Sequence, residues 1–270
     1  MAIRRQIAPL DRNLPLFIDA RDEITASVYA LFQQRFSSVL ANAVASRVQK
    51  DLTIRGQLTP ETIAEVIRAI RILEWHPLLK VARRQLRLVA KESVVKTLWQ
   101  IGIDENDPVA QTALSQARQW ADQRAQELVG ARESGDELME DPTAKNSIAQ
   151  TSKEMIAASL ASIASKEISV PEALAAIPAM YALSAARAEL IGKTEVDTAR
   201  SRGQLFAYNN SGVVQGLRWV TMNDNRVEPH CRENERAGIV KVGERFPSGH
   251  EYPPAHPRCR CNLAAVSVTE

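Results

Sequence analysis

From about residue 18 to residue 190, apolar positions return every three or four residues, the repeat that lets one face of an α-helix be buried. The first such stretch starts near Asp19 and runs to Leu52, with Val28, Leu31, Phe32, Phe36, Val39, Leu40, Ala43 and Val44 on its apolar side. Thr59-Pro60-Glu61 then marks a new start. Threonine caps the first amides, and proline suits the first helical position, where no amide hydrogen is needed. That helix covers 61–75 and breaks near His76-Pro77. Residues 78–100 form a third, with Leu79, Ala82, Leu86 and Val89 as its apolar face, and residues 109–129 form a fourth. The polar, glycine-containing stretch from Gly130 to Pro142 reads as a linker or hinge. Two further helices fit 145–167 and 171–208; Pro171 sits in the first turn of the latter, and Pro178 should kink or interrupt it.

After Tyr208 the pattern changes. Asn209 to Gly212 is a turn, and 213–223 reads as a strand with Val214, Leu217, Trp219 and Thr221 roughly in register. The remainder is short strands and loops rich in Gly, Pro, His and Cys. The expected fold class is α+β: a mostly helical N-terminal region followed by a small C-terminal α+β module with short strands. The expected boundaries are 1–140 for the helical region, 141–208 for a long-helix connector and 209–270 for the module.

Composition narrows the function classes. A formal charge of +2 leaves any contact with nucleic acid to local patches. One such patch is the stripe Lys80, Arg84, Arg87 and Lys91, which reads either as a solvated helix face or as a contact for DNA phosphates or an acidic partner surface. No apolar run reaches the roughly 18 residues of a membrane span, and no apolar core follows the N-terminal arginines as in a signal peptide. The expectation is a protein made in the cytoplasm and soluble there, without a membrane partner. Trp75, Trp99, Trp120 and Trp219 are spread along the chain and read as core anchors.

The chemistry-bearing residues gather near the C-terminus. Cys231, His256, Cys259 and Cys261 bring soft sulfur and imidazole donors together, with His230 or His250 as substitutes. Three arrangements are open: a tetrahedral zinc ion, metal-free buried thiols, or a disulfide from Cys231 to Cys259 or Cys261. Asp224 and Arg226 flank a turn and read as an ion pair or turn cap. Glu195, on a helix, is expected to bridge to Arg187 or Arg226. Asp224, His230, His256 and Asn262 superficially resemble a metal-dependent nuclease site, without the helix that should follow the second histidine. The chain has no glycine-rich phosphate loop, no G-x-S-x-G and no H-E-x-x-H, so a non-enzymatic protein without catalytic residues is expected. The alternatives are a zinc-dependent nucleic-acid-binding module and a metal-dependent nuclease.

The C-terminal segment holds Trp219-Val220-Thr221, Asp224-Asn225-Arg226-Val227, His230-Cys231, Gly238, Phe246, Pro253-Pro254 and the ending His256-Pro257-Arg258-Cys259-Arg260-Cys261. In this it resembles the Mu F-like head morphogenesis family of phage minor head proteins. Upstream, Arg187 and Thr194-Glu195 match the family's Arg…Thr-Glu helix. The resemblance covers about residues 145–265. One departure is Glu228, where many relatives carry an earlier cysteine, which leaves a histidine to complete any metal cluster. The helical N-terminal region matches no motif. The resemblance implies a minor capsid protein, assembled with the portal in the host cytoplasm and kept inside the virion head. The implied partners are the portal protein, scaffolding or capsid proteins, and packaged DNA.

Overall fold

The computed structural model describes residues 3–36, 42, 59–68, 70, 75–135, 137–144, 146–165, 172, 176 and 179–269. The helical repeat becomes α1 (Pro15–Ala30), which continues as a π-helical stretch over Leu31–Phe36, then α2 (Pro60–Arg68), α3 (His76–Gln100) and α4 (Pro108–Val129). Val28, Leu31 and Phe32 are buried as their spacing requires; Val39, Leu40, Ala43 and Val44 lie outside the described residues. On α3 the expected apolar face, Leu79, Ala82, Leu86 and Val89, is fully buried. Trp75 and Trp219 are core anchors, but Trp99 is 80% exposed. It follows the buried Leu98, and one step along a helix turns a side chain by about 100°.

The stretch expected as a linker is a β-hairpin, β2 (Ala131–Ser134) with β3 (Glu137–Glu140). Ser134 pairs with Glu137, and Gly135 takes a φ of 62° between them, a conformation that glycine adopts at no steric cost. Nearly every side chain of this ladder is exposed, so no apolar alternation advertises it. Then come α5 (Ile148–Ala164), capped by Ser147 accepting from the Gln150 amide, and a 3-10 turn at Tyr181–Leu183. The helix expected over 171–208 is present as α6 (Ala185–Asn210), while Pro171 and Pro178 lie outside the described residues. The C-terminal part holds β4 (Val214–Val220), α7 (Pro229–Arg236), β5 (Ile239–Lys241) and β6 (Asn262–Thr269).

The chain divides into two compact units that run across the boundaries expected from the sequence. One comprises Met1–Asp22, Arg84–Gln123 and Gly192–Glu270; the other comprises Glu23–Arg83 and Arg124–Ile191. In the second unit α2 packs on α5, with Val66, Ile156 and Leu160 buried. Arg187 is also buried there, donating to Ser152 Oγ at 2.8 Å, Thr151 Oγ1 at 2.8 Å and the Ala182 carbonyl at 2.6 Å. Its guanidinium lies 5.1 Å from the Phe32 ring centroid, and burial lowers its pKa to about 10.

The first unit is organised by a four-stranded antiparallel sheet in the order β1-β6-β4-β5, where β1 is Ile3–Ile7 at the other end of the chain. The pairs Ile3↔Thr269 to Ile7↔Ala265 place β6 in the interior of the sheet. A register shift between Val214 and Gly216 accompanies the buried positions of β4, which are 214, 216, 217 and 219 and break simple alternation. The core under the sheet combines Ile7, Leu205 and Tyr208 of α6, Val214, Leu217, Trp219, Phe246, Leu263 and Ala265. Residues 209–270 therefore share their apolar interior with an N-terminal strand and the long helix.

A second cluster joins Ala90, Val94 and Leu98 to Ala110, Ala113 and Ala117, with Phe206 and Ala207. Small side chains let these helices approach closely, most of all at Gly203, where an added Cβ would stand 2.5 Å from the Ala90 carbonyl oxygen and 2.7 Å from Ser93 Cβ. A backbone oxygen cannot yield without moving α3. Gly203→Ala should therefore destabilise the fold by about 1–3 kcal/mol. Denaturant unfolding of the purified chain measures this, and an unchanged midpoint would refute the close approach.

Candidate functional site

α7 was not anticipated from the sequence, although Glu228-Pro229 carries a start signal, with proline in the first turn. Its polar residues tie it down locally. Glu235 accepts from the Thr221 amide at 2.9 Å and from its hydroxyl at 2.7 Å, at the end of β4. Arg232 donates to the carbonyls of Val227 at 3.1 Å and Asp224 at 3.0 Å. The buried Asn234 exchanges two bonds with Ser248, at 2.8 and 2.9 Å. This fixes the helix so that Cys231 points into the core.

The Cys-Arg-Cys segment enters the same place from the other side. Cys259 and Cys261 are two residues apart in extended chain, so their side chains share one face and that of Arg260 takes the other. Arg258, with φ 63°, and a bond from the Cys259 amide to the His256 carbonyl at 3.1 Å form the turn that precedes them. Cys231, Cys259 and Cys261 are buried at 0%, 4% and 5% exposure, and their three sulfurs lie within 4.8 Å of one another. Cys231 Sγ and Cys259 Sγ are 3.9 Å apart, so the thiols are free. His230, Cys231 and His256 form a second group with ligand atoms within the same spacing. The two imidazoles meet edge to face at 5.1 Å. The expected set Cys231, His256, Cys259 and Cys261 is thus gathered in one locality with His230, while His250 bonds Ser248 Oγ at 3.1 Å and belongs to neither group.

The sulfurs are electrostatically unequal. The Cys261 thiol donates to Cys259, which lowers the Cys259 pKa to about 5, helped by backbone N–H bonds from Cys261 and Ala255. The same shared proton raises Cys261 strongly, and burial pushes Cys231 up to about 12. Such a cluster has two chemistries open to it: coordination of a soft cation through thiolates, or oxidation of a neighbouring pair.

Arg260 supplies a contact that sequence reasoning missed. It makes a bidentate pair with Asp224, at 2.6 and 2.7 Å, across 36 residues. Asp224 also caps its own turn by accepting from the Arg226 amide at 3.0 Å, so the expected turn cap is present. The expected Asp224–Arg226 ion pair is peripheral, at 3.9 Å with the Arg226 side chain 74% exposed. Asp224 Oδ atoms accept the planar guanidinium fork of Arg260 far better than the single distant approach of Arg226. Glu195 is buried on α6, and the donors of Arg187 go to Ser152, Thr151 and Ala182.

The basic stripe is divided. Lys80, Arg84 and Lys91 are exposed, whereas Arg87 turns into a two-point ion pair with Asp122, one arm at 2.6 Å.

Residues 136–264, just under half of the chain, match the model of the family described as phage Mu protein F like protein. This is the family that the Cys-Arg-Cys ending resembles, and the matched span contains α5, α6, β4, α7 and every member of the sulfur cluster. No curated protein and no solved structure matches the chain.

The Asp224–Arg260 pair has a defined pH signature. Arg260, as the main cause, holds the Asp224 carboxyl at about 2, below its ordinary value. A depressed carboxylate stabilises the fold above its unfolded pKa, and that contribution is lost as pH falls through about 2. In Arg260→Ala the Asp224 carboxyl should titrate nearer the ordinary carboxylate range, read by carbon NMR of the side chain. A value still at about 2 would assign the shift to the Arg226 amide instead.

Proposed function

We propose that this chain is a phage head morphogenesis protein: a minor capsid component that joins the portal during procapsid assembly and stays in the virion head. The observation that carries this reading is the Mu protein F-like match over residues 136–264. The architecture supports an attachment role. The matched segment buries its cysteines in a core and spends its polar side chains on cross-links between loops, which suits a rigid docking module. In this reading the chain is not an enzyme, and residues Arg187, Glu195, Asp224 and Arg226 serve structure.

Partners follow from the same reading. The portal protein is the principal one, with scaffolding or capsid proteins around it. Packaged DNA meets the exposed cations Lys80, Arg84 and Lys91, with Arg87 withdrawn by Asp122. Among the described residues no helix is long and apolar enough to cross a membrane.

Co-expression of the full chain with the portal protein of its own phage, followed by size-exclusion chromatography and counting of copies in purified virions, tests the proposal. Stable co-elution and a few copies per particle are expected. Separate elution together with absence from particles would reject it.

A further inference from the structure

We infer that the sulfur cluster is a structural zinc(II) site, with Cys231, Cys259 and Cys261 as thiolate ligands and His256 Nε2 as the fourth donor. This goes beyond the assembly role and does not depend on it.

The spacing of the sulfurs is the first argument. Tetrahedral zinc with Zn–S bonds of about 2.3 Å holds its sulfurs roughly 3.8 Å apart. The Cys231–Cys259 separation is 3.9 Å, and the third sulfur lies within 4.8 Å of both. A disulfide would need a separation near 2.05 Å. The three thiols come from two separate chain segments, so the convergence is tertiary and not a by-product of sequence proximity.

The second argument is the state of His256. Its Nδ1 lies 2.8 Å from the Pro257 carbonyl oxygen, which can only accept, so Nδ1 is the donor and the neutral ring has its lone pair on Nε2. A backbone carbonyl on one ring nitrogen is the usual way in which a metal-ligating histidine is oriented. His256 reaches the cluster at Cys231, which belongs to both groups of neighbouring ligand atoms. His230 lies within the same spacing of Cys231, and the carbonyl-oriented ring of His256 is what favours the latter as the donor.

The third argument is the setting. Backbone N–H groups of Cys261 and Ala255 are directed at the Cys259 sulfur. The buried indole N–H of Trp219 lies toward Cys261 and has no oxygen or nitrogen acceptor, so a thiolate there would give it one. Arg260, on the opposite face and paired with Asp224, is still near enough to Cys259 and Cys261 to interact favourably with negative charge on them. Three soft sulfurs and one imidazole are a donor set that selects zinc, and a full complement of four protein ligands would make the site structural. Coordination takes the sulfurs as thiolates, so binding releases to solvent whatever protons the free thiols hold.

The test uses the full chain, produced with zinc in the medium and purified without chelator, with free thiols alkylated at lysis in a parallel sample. Elemental analysis should give about one zinc per chain. Replacement of the metal by cobalt(II) in the wild-type protein should give the intense visible bands of a tetrahedral ion and a thiolate charge-transfer band. This readout needs no variant to fold. Cys231→Ser, Cys259→Ser and Cys261→Ser should each lose the metal, and His256→Ala should weaken zinc retention against a chelator at least tenfold while His230→Ala leaves it unchanged. Absence of stoichiometric metal, iron in place of zinc, or a Cys231–Cys259 disulfide in the alkylated sample would overturn the site. Loss of zinc with His230→Ala but not with His256→Ala would overturn the ligand assignment. Zinc in a chain that never enters virions would reject the assembly role and leave this inference standing.

Discussion

Cys231, Cys259 and Cys261 arrive at one point from a short helix and from the segment that leads into an interior strand, and their contact fixes how the loops of the C-terminal module are held. Between β4 and β6 the chain runs from Thr221 to Cys261 with only one short helix and one three-residue strand. Such a span cannot be ordered by ladder hydrogen bonds alone. It is ordered by side chains instead: the sulfurs in the interior, Trp219 against Phe246 at 5.2 Å, and outside them the Glu235–Thr221, Asn234–Ser248 and Asp224–Arg260 links. Each link joins residues at least 14 positions apart, so each closes a loop that would otherwise be free to open.

The same unit tolerates an unusual amount of buried polarity along α6. Arg200 is 1% exposed, lies 3.7 Å from Asp197 and donates to Gln204 at 3.2 Å, and burial lowers its pKa. Asp197 is shared with Arg12, near the N-terminal strand. Buried charges are costly unless paired, so this network holds β1 and α6 in one arrangement more by penalising alternatives than by adding net stability.

Much of this was legible in the sequence, and the divisions are physical. Helices α3 and α4 declare themselves because one buried stripe of a helix is a local, periodic property: Leu79, Ala82, Leu86 and Val89 needed no tertiary context. The Cys/His cluster was legible because unusual residues were concentrated and the ending matched a family pattern. What escaped was nonlocal. The strand Ile3–Ile7 is a short, partly charged run that becomes a strand only by pairing with β6 some 260 residues later. The main side-chain partner of Asp224 is Arg260, ahead of the nearby Arg226, because a guanidinium fork across the fold outcompetes a neighbour whose side-chain geometry is poor. The β2–β3 hairpin was hidden by exposed polar side chains on a ladder with almost no apolar face.

The central claim is that the buried sulfur contact orders the module as one piece. Hydrogen–deuterium exchange of the full chain, compared between wild type and Cys231→Ser, measures that directly. The account predicts that amides of β4, α7 and β6 lose protection together in the variant. Protection retained in β6 and α7 would mean that the sheet and its outer links suffice, and would contradict the claim.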